Sequence, residues 1–129
     1  MINEKVRELM KKYDNNPNNK ILNEILEKKF YSHFVLCNDN NIVHASHKYK
    51  KYIGEKLTKE TSEIVMRENS SGVKHYFQVS DKCEVKGALI YRTFTINGKK
   101  GLIIVKFNKR KFKSENIELL SDLCSYINL

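Results

Sequence analysis

Residues Leu102-Ile103-Ile104-Val105 are apolar without a polar residue between them. A strand of that composition has to be covered on both faces, because a solvated face would show a polar residue at every second position. The run follows Asn97-Gly98, a dipeptide suited to the positive φ angles of a tight hairpin turn. On the other side of that turn lies Ala88–Ile96, rich in β-branched and aromatic residues. Segments 88–96 and 101–107 therefore predict an antiparallel pair inside a sheet, and the remaining chain must supply a layer for each face.

Candidates for both layers are present. Ile2, Val6, Leu9, Met10 and Tyr13 recur at helical spacing. A polar breaker, 14–19, holds the only proline, Pro17. Ile21, Leu22, Ile25, Leu26 and Phe30 then form a second stripe, so the start reads as an interrupted helix or as two antiparallel ones. Phe34–Cys37 and Ile42–Ser46 flank Asn38-Asp39-Asn40-Asn41, whose short polar side chains cap their own turns, and so predict a second hairpin. Lys48–Ile53 predicts one or two helical turns closing on Gly54. Thr58, with Thr61 as the alternative, is an N-cap for a helix carrying Ile64 and Val65, with Met66 as a further candidate. Val73–Val79 predicts a strand, Ser80-Asp81-Lys82 a turn, and Cys83–Val85 a strand extension interrupted at Gly87. Ser114 caps a closing helix with Ile117, Leu119, Leu120, Leu123, Cys124, Tyr126 and Ile127 on its apolar stripe.

The expected architecture is α+β: an antiparallel sheet of about five strands, with the N- and C-terminal helices on one face and short helices over the other. A chain of 129 residues is expected to be one domain, with a helical segment 1–32, a sheet with inserted helices 33–113, and a closing helix 114–129. No stretch approaches the roughly 18 apolar residues that a membrane span requires. No apolar signal region opens the chain, so a cytoplasmic protein without membrane contact is expected.

The formal net charge of +9 is local. Residues 70–113 hold eleven basic and two acidic side chains, and the tail from Ser114 is acidic. Twenty of the cations are Lys and four are Arg, a balance that disfavours bidentate reading of phosphates or bases. Cys37, Cys83 and Cys124 lie far apart with no Cys-x-x-Cys spacing, and are read as small buried apolar residues. Phosphate-loop, dinucleotide, nucleophile-elbow and zinc-protease motifs are absent from the sequence, so no enzyme and no cofactor is expected.

Three strings carry a family resemblance: HFVLCNDNNIVHAS leading into KKYIGEKLT, GALIYRTFTINGKKGLIIV, and KFKSENIELLSDLCSYI. From about Lys20 onward the chain resembles the bacterial GAF-like sensory domains, a profilin-like fold shared in outline with PAS domains. Within them it is most similar to the sensory half of a sporulation transcription regulator. In the last string Phe112, Ser114, Leu119, Leu120 and Leu123 match the closing GAF helix. Met1 to Asn19 offers nothing for the swapped-hairpin DNA-binding domain that precedes that sensory half. The resemblance implies a small-molecule-sensing or signal-transmitting domain, a ligand pocket between the sheet and residues 47–70, and homodimerisation through terminal helices.

Candidate residues follow from both readings. His44, Tyr49, Tyr52, His75, Tyr76 and Phe77 would stand near the mouth of the implied pocket, where an apolar body with a polar tip can orient a small ligand. The alternative, equally open, is that these side chains plug the sheet face. Val6, Leu9, Leu119, Leu123 and Tyr126 are the expected dimer contacts. Lys99, Lys100, Lys109, Arg110 and Lys111 are candidates for nucleic-acid or other polyanion contact, weighed against a solvated strand edge guarded by lysines. A metal site from His44, His47 and His75 with Cys37 or Cys83 competes with the fact that strand and loop positions need not converge, and no metal is expected. The second functional expectation is a module of the same fold used for dimerisation or protein contact without a ligand.

Overall fold

The structure is a computed structural model that describes residues 4–12, 18–108 and 115–129. Helix α1 spans Glu4–Lys12. Helix α2 starts at Lys20–Leu22 and continues as a π-helical stretch, Asn23–Lys29. Strands β1 (His33–Cys37) and β2 (Ile42–Ala45) form the first hairpin. A 3₁₀ turn, His47–Tyr52, and helix α3, Lys59–Val65, follow. Strands β3 (Ser71–Gln78), β4 (Glu84–Ile96) and β5 (Lys99–Lys106) complete a five-stranded sheet in the order β2-β1-β5-β4-β3, antiparallel throughout. Helix α4, Glu115–Leu123, ends in a 3₁₀ turn, Cys124–Tyr126. No helix among the described residues is long and apolar enough to cross a membrane.

Strand β5 is the central strand, between β1 and β4, and residues 101–105 are all buried. Ile103 and Val105 face a core shared with α1, α2 and α4, in which Val6, Ile21, Ile25, Leu26, Leu120 and Leu123 are enclosed. Leu102 and Ile104 face the opposite core, under the 3₁₀ turn and α3, with Tyr49, Leu57, Ile64, Val65 and Phe77. The absence of alternation in the sequence thus reflects two apolar layers meeting the same strand.

Local chemistry builds the connections. Asn38 Oδ1 accepts the N–H groups of Asn40 and Asn41 at 2.8 and 2.7 Å, closing the first hairpin loop on its own side chain. Asn97 and Gly98 both have positive φ, 51° and 77°, as the tight turn between β4 and β5 requires. Thr58 caps α3 by accepting the Thr61 N–H at 3.2 Å, and both threonine hydroxyls donate to the Gln78 carbonyl at 2.9 Å. That pair of hydrogen bonds fastens the roof helix to the end of β3.

One expected break is corrected. Glu84–Ile96 is a single strand of 13 residues that Gly87 does not interrupt, and Cys83 lies just ahead of it. With φ at +133° the glycine forms an irregularity opposite Lys74–Tyr76, which shifts register while pairing continues on both sides. The expected cap at Ser114, the aromatic Phe112, the breaker proline Pro17, and Ile2 and Tyr13 of the first helix lie outside the described residues.

Residues 18–19, just ahead of α2, are zipped to the last turn after α4. Asn18 N–H donates to the Tyr126 carbonyl at 3.1 Å. The Asn19 side chain donates to the Asn128 carbonyl at 2.6 Å and accepts the Asn128 N–H at 2.8 Å. The terminal helices therefore form one layer on one face of the sheet.

Candidate functional site

Where β2 ends, the buried Ser46 hydroxyl accepts the Phe34 N–H at 2.9 Å and donates to the Phe34 carbonyl at 3.2 Å. This pins the chain as it leaves the sheet and starts the 3₁₀ turn at His47. The turn is also held from the helical layer. Glu27 Oε1 accepts the His47 N–H at 2.6 Å and an N–H of the Asn23 amide at 3.1 Å. Because a carboxylate only accepts, Asn23 is left with its oxygen facing His44, and His44 Nε2 donates to it at 2.7 Å. Asn23 and Glu27 both belong to the π-helical stretch, so that stretch is a strut from the terminal-helix layer to the roof.

Two clefts flank the strut. The larger, about 600 Å³, is open and is lined by Glu27, Tyr31, Ser32, His33, His47 and Lys48. Tyr31 has φ at +51° and is 67% exposed, an unusual backbone state for an aromatic residue that carries its ring to the rim of this cleft. His33 packs edge-on against Tyr49, with ring centroids 6.1 Å apart. The smaller recess, about 320 Å³, is lined by Asn23, Glu27, His44, Ala45, His47, Lys50 and Ile53.

Electrostatics favour the neutral form of His33 and His44. Burial lowers the His33 pKa from its usual 6.5, and the charges of Lys48 and Lys106 lower it further against an opposing pull from Glu27. Burial also lowers His44, with Glu27 raising it and Lys50 lowering it. A histidine with a lowered folded-state pKa binds fewer protons folded than unfolded once the pH drops past 6.5, so acidification favours the unfolded chain. Urea midpoints should therefore fall between pH 7.5 and pH 5.5, and the fall should be smaller in His33→Gln. Identical pH profiles for the two proteins would rule out His33 as a source.

The six residues expected at a ligand pocket do not converge. Tyr49 and Phe77 are buried in the core beneath the roof, and Tyr52 packs at its margin. There they fill the space that the resemblance assigns to a ligand. His44 pairs with Leu36 in the hairpin and faces the terminal-helix layer, the opposite side of the sheet, with its ring 5.7 Å from Phe34. His75 and Tyr76 are exposed on the edge strand β3, where the Tyr76 hydroxyl bonds to Gln78 and, at 3.1 Å, to Glu84. His44 on β2 and His75 on β3 stand at opposite edges of the sheet, so they cannot share a metal ion. Among the described residues no His, Cys, Asp and Glu grouping is arranged to hold one.

The other sets are also divided. Val6 and Leu123 are fully buried in the core of the chain itself, which leaves neither side chain a surface for a partner. Leu9 and Tyr126 are half-buried at the rim of that core, and the side chain of Leu119 lies outside the described residues. Lys99 is exposed, whereas Lys100 donates to the Met66 carbonyl at 3.2 Å and lies 3.9 Å from Glu68, so it closes the end of α3. Lys109, Arg110 and Lys111 lie outside the described residues.

The cysteines are shielded. Cys37 and Cys83 are buried, and burial is the main cause that raises both thiols, Cys83 to about 12. Cys124 is half-buried, donates to the Leu120 carbonyl at 3.1 Å, and is raised mainly by burial. Such thiols stay protonated at neutral pH and are poor nucleophiles.

Sequence reasoning missed the Asn23–Glu27 strut and the His33 cleft. The i, i+4 spacing of Asn23 and Glu27 places them on one helix face, but nothing local indicates that this face meets His44 and His47. No protein-family model matches the sequence, and no curated protein matches it.

Proposed function

We propose that the chain is a GAF-like regulatory domain, of the kind found in sporulation transcription regulators, that responds to a small molecule and transmits the response through its terminal helices to a second copy. The observation that carries this reading is the strut. Asn23 and Glu27 bond to His44 and to the His47 backbone, and neighbouring Ile25 and Leu26 are embedded in the terminal-helix core. A ligand in the His33 cleft would touch Glu27 and Lys48 and so bias the helix on which the terminal layer rests. A ligand shifts such an equilibrium only by the difference in its affinity for the two helix arrangements.

Light scattering on the full chain and a thermal-shift screen of metabolites test the two halves of the proposal. A dimer is expected, and a ligand at a hundredfold excess over its dissociation constant adds about 2.7 kcal/mol. For a domain of this size that is a rise of roughly 10 °C. A monomer at high concentration refutes the coupling between copies.

The filled space under the roof favours a second reading, an interaction module of the same fold that needs no ligand. In that case the dimer persists and no metabolite raises the melting temperature. A variant of this reading, an accessory domain contacting nucleic acid, predicts oligonucleotide binding that weakens steeply with salt.

A further inference from the structure

On the other side of Lys48 from the His33 cleft lies an open recess of about 420 Å³. Lys48, Lys51, Lys86 and Lys106 line it together with the rings of Tyr49 and Tyr52. Its one carboxylate, Glu84, is already engaged by Lys86 at 3.6 Å and by the Tyr76 hydroxyl at 3.1 Å. Among the described residues no salt bridge reaches Lys48, Lys51 or Lys106. Lys48 and Lys106 nevertheless share this recess, close enough for their like charges to repel.

The fold holds this cation pair in place. Lys106 pairs with His33 across β1 and with Leu89 across β4, at the end of the central strand. Its stem runs over Gly87, where a Cβ would come to 3.0 Å from Lys106 Cε, so the glycine irregularity leaves the lane the side chain occupies. Lys48 and Lys51 lie over the Tyr49 and Tyr52 rings, 5.7 and 5.1 Å from their centroids, which orients both stems on the roof. Like charges brought together on three separate elements, with a carboxylate deficit, leave a site whose charge an anion would balance.

We propose that this recess binds the phosphoryl group of a small phosphorylated molecule, gripped by Lys48 and Lys106 with Lys51 and Lys86 at the rim. A phosphoryl group brings close to two negative charges and three acceptor oxygens, enough to bond several ammonium groups at once, which a single carboxylate is not. Convergence on one recess separates this site from a polyanion track. Lys99 and Lys100 lie at the far end of β5, about 23 Å away at roughly 3.3 Å per residue. The proposal goes beyond the regulatory reading, and a monomer that binds phosphate would refute that reading while leaving this one intact.

The probe is inorganic pyrophosphate, titrated onto the full chain and followed by calorimetry and amide chemical shifts, with potassium chloride matching the ionic strength. Saturable 1:1 binding is expected, with shifts at residues 47–52, 84–87 and 106. Lys48→Gln and Lys106→Gln should each weaken it about tenfold or more, the loss of one charge-assisted hydrogen bond. Lys99→Gln should bind as the parent does. Circular dichroism checks folding, and Lys51→Gln with Lys86→Gln gives a second test at exposed positions with a smaller loss. Absence of saturable binding, or equal affinity in all variants, overturns the proposal. So does an oligonucleotide that binds and depends on Lys48 while pyrophosphate does not, an outcome that would make the surface a nucleic-acid contact.

Discussion

Phe77→Ala should lower the unfolding free energy by about 3–5 kcal/mol, the range for deleting a buried phenyl ring. Phe77 is 3% exposed in the core beneath the roof, and its ring meets Tyr91 edge-on with centroids 5.9 Å apart. The loss combines transfer of the ring with the cavity that remains, since the roof is tied to the sheet by Thr58, Thr61 and Leu57 and cannot settle fully. Urea unfolding should show the lower midpoint with an unchanged slope. Phe77→Leu, which keeps most of the volume, should cost less than about 1.5 kcal/mol. An apolar cavity of this kind stays dry and accepts a small aromatic molecule, so toluene should raise the melting temperature of Phe77→Ala and leave the parent unchanged. A loss below about 1 kcal/mol would mean that the roof does not pack on the sheet as described. Recovery with toluene would also show that a ligand pocket at this place is one ring away from the native packing.

Leu123→Ala should cost about 2–5 kcal/mol, and the cost should be the same at any protein concentration. Leu123 is fully buried against the terminal-helix layer, where Val6, Leu26 and Leu120 share its core. If its role were contact with a second copy, the melting temperature of the parent would rise with concentration and the penalty in the variant would vary with it. Thermal unfolding over a hundredfold concentration range separates the two. A concentration-dependent loss would return Leu123 to the interface. A constant one leaves Leu9 and Tyr126, half-buried at the rim, as the members of the expected set with surface to offer.

Much of the fold is legible because the relevant energies are local. Asn38 closes its own loop, Asn97-Gly98 supplies two positive φ angles, and Thr58 caps the helix it precedes. Each is decided by residues within four positions of one another, so the sequence carries the whole cause. Gly87 shows the limit. A glycine in a strand signals either a break or an irregularity, and the pairing partner, β3, selects the second.

The candidate site is less legible because it depends on which faces meet. His44 and Tyr49 are five residues apart, yet His44 points to the helical layer and Tyr49 to the roof, since Ser46 turns the chain between them. Lys48 and Lys106 line one recess only because β1 lies beside β5, a pairing over some seventy residues with no signature at either end. Val6 and Leu123 illustrate the same ambiguity, as an apolar helix stripe reads identically whether its partner is the same chain or another.

The amino-acid order alone determined that this chain would make two hairpins, bury one strand on both faces and cap a short helix over the sheet, because turns, caps and periodicity act over a few residues. Only the folded chain decided that Tyr49 and Phe77 are buried beneath the roof, that Val6 and Leu123 are spent on an intramolecular core, and that four lysines face a common recess. Those outcomes come from long-range strand pairing and from competition among many apolar faces for the same two layers, which no short segment encodes.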